Sequence, residues 1–437
     1  MNPALLHLPD AEQHLAWIQE IYDRGVRRPG TEVDAAVVEW CVELLTSWGC
    51  EVTLQPVPAL TSHPGPAVVE VWPTEAPDDV HRFDGFTMPF TTAVDGATFA
   101  LDQAGGCAWQ HVPLTELPVS WLAEQAHAVH DPTGELAEHV HTLPFGAALG
   151  KDIDIAVDAG AGALLAVFDG PWRSSEAFVP YDGVERPIPG VWLDRDQGAA
   201  IDALLAAGPV TVRLRTEVTQ RSSVDHNVIA TLTGPEHADD TDRPWTVVGS
   251  HHDAPWRSAV EDASGIAQVL AQAKAWAAVP AEDRPSLLAF LLTAAHMSDG
   301  AGTQRFLADW EHRDRIGLGL HLEHIAVEAV PDGAGGLTAT DRPEVRWWFV
   351  SHDWADRVAE AVAAEGLDRS LVLGPETLGP MPPTDGGFYH LADIPMVSLL
   401  AAPMYLFDPA DTPEMIHGPS LVPTSRAAAR LIWAAGR

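Results

Sequence analysis

The sequence predicts an α/β protein with a mixed open sheet flanked by helices and a smaller, β-rich insertion, and three observations carry that expectation. From Asn227 onward, apolar runs alternate with amphipathic helical stretches. Polar residues of reactive type fall just after the ends of those runs, where open α/β sheets bind their ligands. Between about Thr61 and Ser222 the alternation gives way to short β-like runs separated by Gly, Pro and Asp. The chain is therefore divided into 1–60 plus 223–437 as the α/β unit and 61–222 as the insertion.

In chain order, Asp10 to Trp48 carries helical apolar spacing, as at Val37, Val38, Trp40, Cys41, Leu44 and Leu45, with a break at Arg28-Pro29-Gly30. Cys50–Pro58 reads as a strand. Later strands are expected at Val228–Leu232, Thr246–Ser250, Leu287–Thr293, Leu318–Ile325, Arg346–Val350 and Met396–Leu400. Ile266, Val269, Leu270 and Ala273 fall at helical spacing, so a helix starts near Ser264 and buries that stripe.

Composition narrows the function classes. With 25 basic against 62 acidic residues in 437, the net charge of −37 repels phosphate backbones and anionic membrane surfaces. Neither nucleic acid nor membrane is expected as a partner; a small molecule or peptide is, with the oligomeric state left open. Cys41, Cys50 and Cys107 show no paired spacing, which argues against a disulfide framework and for a reducing compartment. The start of the chain lacks the pattern of a secretory signal, and a cytoplasmic location is expected.

The residues that can carry chemistry cluster at strand ends. His251-His252-Asp253 follows one strand, and alternation sends His251 and Asp253 to one side. Glu261-Asp262 stands at the mouth of the next helix, where either metal binding or capping fits. His296 follows the third strand, and the fourth ends in His321-Leu322-Glu323-His324, where His324 fits packing as well as chemistry. Imidazole and carboxylate together suit zinc or a similar divalent ion. Trp256, Trp347 and Trp348 are candidates for an apolar substrate pocket or for the core.

On Val248-Gly249-Ser250-His251-His252-Asp253, Glu261-Asp262-Ala263-Ser264-Gly265, Ile394 to Leu399 and Asp411-Thr412-Pro413-Glu414, the chain resembles the co-catalytic di-zinc aminopeptidases, which include leucyl aminopeptidases and glutamate carboxypeptidases and, more distantly, glutaminyl cyclases. The resemblance implies one or two zinc ions, or another divalent metal, held by His251, Glu261, His296 and Glu323, with Asp253 orienting His251. Ala295 stands where that family has its general base and Gly386 where it has a final histidine ligand. A replacement for the base is expected among Asp262, His324, Asp385 and His296, and His390 or His417 could replace the ligand. The Gly/Ala-rich turn at Asp158 to Ala163 and Ile188-Pro189-Gly190-Val191 resemble a protease-associated unit over 150–218. The implied function is a metal-dependent, aminopeptidase-like hydrolase of a peptide or other amide bond. A catalytically degenerate binding or regulatory protein and a single-metal acyl transferase of glutaminyl-cyclase type are the alternatives.

Overall fold

A computed structural model describes residues 2–233 and 243–436. Helices α1 (Ala11–Arg24) and α2 (Glu32–Ser47) start where Asp10 and Thr31 accept hydrogen bonds from the Gln13 and Asp34 amides. The break between them runs from Gly25 to Gly30, whose φ angles of 118° and 73° exclude most side chains.

Strand β1 (Glu51–Pro73) runs far beyond the Pro58 at which the sequence suggested an end. It pairs antiparallel with β2 (Val210–Leu232) along its whole length, from Glu51 opposite Thr231 to Pro73 opposite Val210. Proline donates no ladder hydrogen bond, and the register shifts once, between Pro64 and Ala67. The central strands follow: β3 (Trp245–His251), β4 (Leu287–Thr293), β5 (Ile316–Leu322), β6 (Arg346–Val350) and β7 (Met396–Leu400). Across the sheet the order is β1-β2-β4-β3-β5-β7-β6. β4, β3, β5 and β7 are mutually parallel, whereas β2 and β6 join antiparallel. β3, β4, β6 and β7 are buried along their whole lengths, which is why they read as continuous apolar runs rather than alternating ones.

β5 stops at Leu322, three residues before the expected end. His324 adopts a left-handed φ of 58°, which breaks the extended chain and aims its ring across the sheet edge. Helix α3 (Gly265–Ala277) buries the expected Ile266, Val269, Leu270 and Ala273, and also Gln268 and Gln272, whose amides donate to Leu421 and Ser425 carbonyls of α4 (Gly418–Ala435).

Residues 61–222 extend the same sheet. Strands His81–Thr87, Gly190–Asp194, Ala163–Asp169 and Cys107–Pro113 continue it beyond β1, so hydrogen bonding runs unbroken through the divisions at 60/61 and 222/223. Its outer part has its own apolar cluster around Val71, Leu165, Val191 and Val212. Another part folds back, and Ala128–His130 pairs with Ser370–Leu373 at the opposite edge of the sheet. Among the described residues no helix is long and apolar enough to cross a membrane, and the three cysteines are free and buried.

Candidate metal centre

The carboxyl ends of β3, β4 and β5 and the loop before α3 meet at one buried point. Adjacent residues at the end of β3 and just beyond it go to different places there. His252 donates from Nδ1 to Asp34 at 2.8 Å and from Nε2 to the His226 carbonyl at 3.1 Å. With both nitrogens donating it is an imidazolium. Burial opposes the charge, but Asp34 and then Asp225 outweigh it and lift the pKa to about 10.

His251 turns the other way, and its Nδ1 bonds the backbone carbonyl of Asp253 at 2.9 Å. The Asp253 carboxylate accepts the amides of His296 and Met297, both at 2.9 Å, so the orienting contact expected from that side chain comes from its backbone. Those two amides belong to the turn after β4, where Ala295 sits at a left-handed φ of 57°.

Glu261 is placed by two residues far away in sequence. Buried Arg27 donates to the carbonyls of His252 (3.0 Å), Ser258 (2.9 Å) and Glu261 (2.8 Å), and to that of Arg257. From the other side the Asp411 carboxylate accepts the amides of Ala259 (3.1 Å), Val260 (2.7 Å) and Glu261 (2.9 Å). The loop is thus clamped through its backbone, which leaves the Glu261 side chain to project alone.

Three imidazoles surround it. His324 Nε2 lies 2.7 Å from Glu261 Oε2, while His251 Nε2 and His296 Nε2 lie 3.4 and 3.6 Å from Oε1. The rings of His251 and His296 stack at 4.0 Å. In each ring Nδ1 is already taken: by the Asp253 carbonyl, by Asp385 Oδ1 at 2.8 Å for His296, and by the Ala401 carbonyl at 2.6 Å for His324. These partners only accept, so this hydrogen-bond network puts a proton on every Nδ1 and leaves the neutral ring's Nε2 lone pair facing a carboxylate. His251 Nε2, His324 Nε2 and both Glu261 oxygens are buried without a hydrogen-bond partner.

Acceptors that face one another in a dry site repel unless positive charge lies among them. A proton is one source of that charge. Burial lowers the His324 pKa, but Glu261 outweighs it and lifts it to about 9, and Asp385 likewise outweighs burial at His296 and raises it. At His251 burial dominates, reinforced by His296 and His324, and its pKa falls well below the usual range. A divalent cation is the other source. Three anchored imidazoles and a carboxylate are the donor chemistry of zinc-type ions, so the residues fit such a metal.

The remaining candidates are engaged elsewhere. Asp262, pushed up to about 8 by burial, accepts from the Ser250 hydroxyl and from the amides of Gly265 (3.1 Å) and His324 (3.3 Å). Asp385 is shared between His296 and the Thr303 hydroxyl at 2.8 Å. Glu323 reaches the same cleft, but its Oε1 lies 2.7 Å from His321 Nε2, and His321 outweighs burial to hold its pKa below the usual carboxylate range. His390 pairs with Glu376 at 3.4 Å and His417 with Ser420, and neither borders the cleft.

Above the centre opens an apolar cleft of about 380 Å³, with Glu261, His296, Glu323 and His324 at its floor. Its walls include Trp121, Phe145, Tyr181, Trp347 and Phe407. Trp347 is thus at the cleft, whereas Trp348 is in the core and Trp256 bonds the Phe407 carbonyl beneath Arg28. Tyr181 stacks on His296 at 5.7 Å. Sequence reasoning missed Tyr181, Arg27, the clamp made by Asp411, and His321. Only His321 left a signal, because residues two apart on a strand share a side and place it beside Glu323.

No protein-family model matches the sequence, and no curated protein does. Solved structures match over almost the whole chain. A peptidase M28 precursor from Shewanella amazonensis is 17% identical, with 98% of this chain and 96% of that chain covered and a TM-score of 0.67. A zinc aminopeptidase from Bacillus subtilis is 15% identical over 98% and 96%, with a TM-score of 0.65. An aminopeptidase from Aneurinibacillus sp. strain AM-1 is 18% identical over 98% and 94%, with a TM-score of 0.64. At these identities the likeness shows the fold: the chain has the α/β architecture of the solved zinc aminopeptidases.

Proposed function

We propose that this chain, with the fold of the zinc aminopeptidases, is a metal-dependent hydrolase that cleaves a peptide or other amide bond. The observation that carries the reading is the convergence of three Nδ1-anchored imidazoles on the unpartnered Glu261 carboxylate at the floor of an apolar cleft. When bound, a zinc-type ion supplies Lewis-acid polarisation of a carbonyl and lowers the pKa of water. His251, Glu261, His296 and His324 are the residues that would hold it.

The proton route must differ from one through Ala295, which has no titratable group. Asp253, Asp262 and Asp385 are each committed to hydrogen bonds within the protein. Glu323 is the carboxylate at the cleft floor outside the proposed ligand set; His321 engages only its Oε1, at 2.7 Å, and keeps the group ionised, which leaves Oε2 to take a proton. We assign it the role of accepting a proton from the attacking water. The cleft walls favour an uncharged, apolar group on the substrate.

A second reading, a binding protein without turnover, is favoured by Ala295 and Gly386. One experiment separates the two: measure bound metal in the purified protein, then assay apolar aminoacyl amides with and without chelator. Stoichiometric zinc and chelator-sensitive turnover that is lost in His251→Ala are expected. Protein that binds no metal would overturn the hydrolase, and a metal-loaded protein inert across a broad amide library would favour the second reading.

A further inference from the structure

We infer that the centre takes a single divalent ion, ligated by the Nε2 atoms of His251, His296 and His324 and by Glu261, with Glu323 outside the ligand set. The inference deepens the hydrolase reading and rests on its claim that a metal binds here. It narrows the one or two ions implied by the resemblance to one, and it exchanges the roles expected for the neighbours Glu323 and His324.

Three donors for one ion already converge, and the fourth stands beside them. Bonds of about 2.0–2.1 Å in a tetrahedron place neighbouring donors about 3.3 Å apart. His251, Glu261 and His296 offer ligand atoms that all lie within 4.8 Å of one another, with Glu261 Oε1 at 3.4 and 3.6 Å from the two rings. His324 Nε2 stands outside that trio, 2.7 Å from the other Glu261 oxygen, so it completes the set by drawing in around the ion. Each ring is held from behind by an acceptor on Nδ1, the arrangement that fixes a histidine ligand. Nitrogen donors with one carboxylate select zinc and its transition-metal neighbours over magnesium or calcium.

The donors for a second ion are missing for steric and electrostatic reasons. At position 386 a Cβ would lie 2.6 Å from Ser398 Oγ, 2.7 Å from Ser398 Cβ and 3.1 Å from His321 Cβ. No ligand side chain can project from that point. Glu323 faces His321 across 2.7 Å. Two divalent cations would also place four positive charges against Glu261 and that already paired carboxylate, with Asp262 and Asp385 tied into hydrogen bonds of their own.

The test is zinc analysis of the full chain after saturation with zinc and removal of the excess, with anomalous diffraction at the zinc edge from wild-type crystals to read the ligands directly. One zinc per chain, contacting His324 and not Glu323, is expected. In solution, His324→Ala should lose at least tenfold in zinc affinity, whereas Glu323→Gln should stay within about threefold of wild type. Two ions per chain, or an ion bound by Glu323 and not by His324, would overturn the inference. The wild-type diffraction reading stands even if a variant does not fold. A one-ion centre without amide turnover would sink the hydrolase and leave this inference intact, two ions with turnover would do the reverse, and no ion at saturating zinc would sink both.

Discussion

His251 and His252 are neighbours in sequence with different charge states, because the side chains at the end of β3 and just beyond it point into different surroundings. His252 is an imidazolium between Asp34 and the His226 carbonyl. Its folded pKa of about 10 lies above the ordinary 6.5, so its stabilising contribution is complete below pH 6.5 and fades as pH rises through about 10. Burial pushes the Asp34 pKa well up and His252 opposes that, so replacing His252 by alanine leaves Asp34 either charged without its cation, at a cost of about 3–5 kcal/mol, or taking up a proton at a smaller cost. The imidazole NMR signals of His252 should remain those of a protonated ring until pH approaches 10; a ring already neutral at pH 7 would overturn the assignment. His296 depends on Asp385 in a different way. Asp385→Asn leaves the hydrogen-bond distance but removes the anion that fixes the ring, and zinc affinity should fall about 10–100-fold by competition with a chelating dye.

Among elements, the loop from His252 to Glu261 is built less by its own sequence than by Arg27 and Asp411, which grip its carbonyls and amides from opposite sides. A guanidinium donates in a fixed plane to several acceptors at once, and an ammonium cannot reproduce that fork. Arg27→Lys should therefore cost about 3 kcal/mol or more by denaturant unfolding, since several buried carbonyls lose their donor. An unchanged midpoint would show that the loop holds itself. Gly386 makes the converse point: its φ of −57° suits any residue, so only space forbids one. Gly386→Ala should lower stability by about 1–3 kcal/mol through overpacking against Ser398, read as a fall in Tm.

For the whole molecule, a net charge of −37 makes self-repulsion a term in stability. Raising ionic strength from about 10 to 150 mM shortens the screening length from about 30 to about 8 Å, so Tm should rise with added monovalent salt before any metal is present. Zinc should raise it further by mass action, by about 2.7 kcal/mol at a hundredfold excess over Kd, and a chelator should reverse that part alone. Calorimetry with sodium chloride and zinc varied separately distinguishes the two. A Tm indifferent to salt would show that self-repulsion of the acidic residues is not a term in stability.

The strands β4, β6 and β7 begin and end where their apolar runs do, because strands buried on both faces must be apolar throughout and that property is local. His251, Glu261 and His296 were legible as a group for a related reason, since strand ends and a helix mouth deliver residues to one edge of a parallel sheet. Sequence alone assigns Glu323 to the metal and His324 to proton transfer, and the one-ion centre we infer exchanges them. They are adjacent, and the choice rests on a left-handed φ at His324, on the Ala401 carbonyl behind its ring and on His321 beside Glu323. The extent of β1, the arrival of Trp121, Phe145 and Tyr181 at the cleft and the grip of Arg27 also came only with the folded chain. Apolar periodicity and strand-end placement are written in neighbouring residues, whereas hydrogen bonds between groups more than two hundred positions apart exist only once the sheet has brought them together.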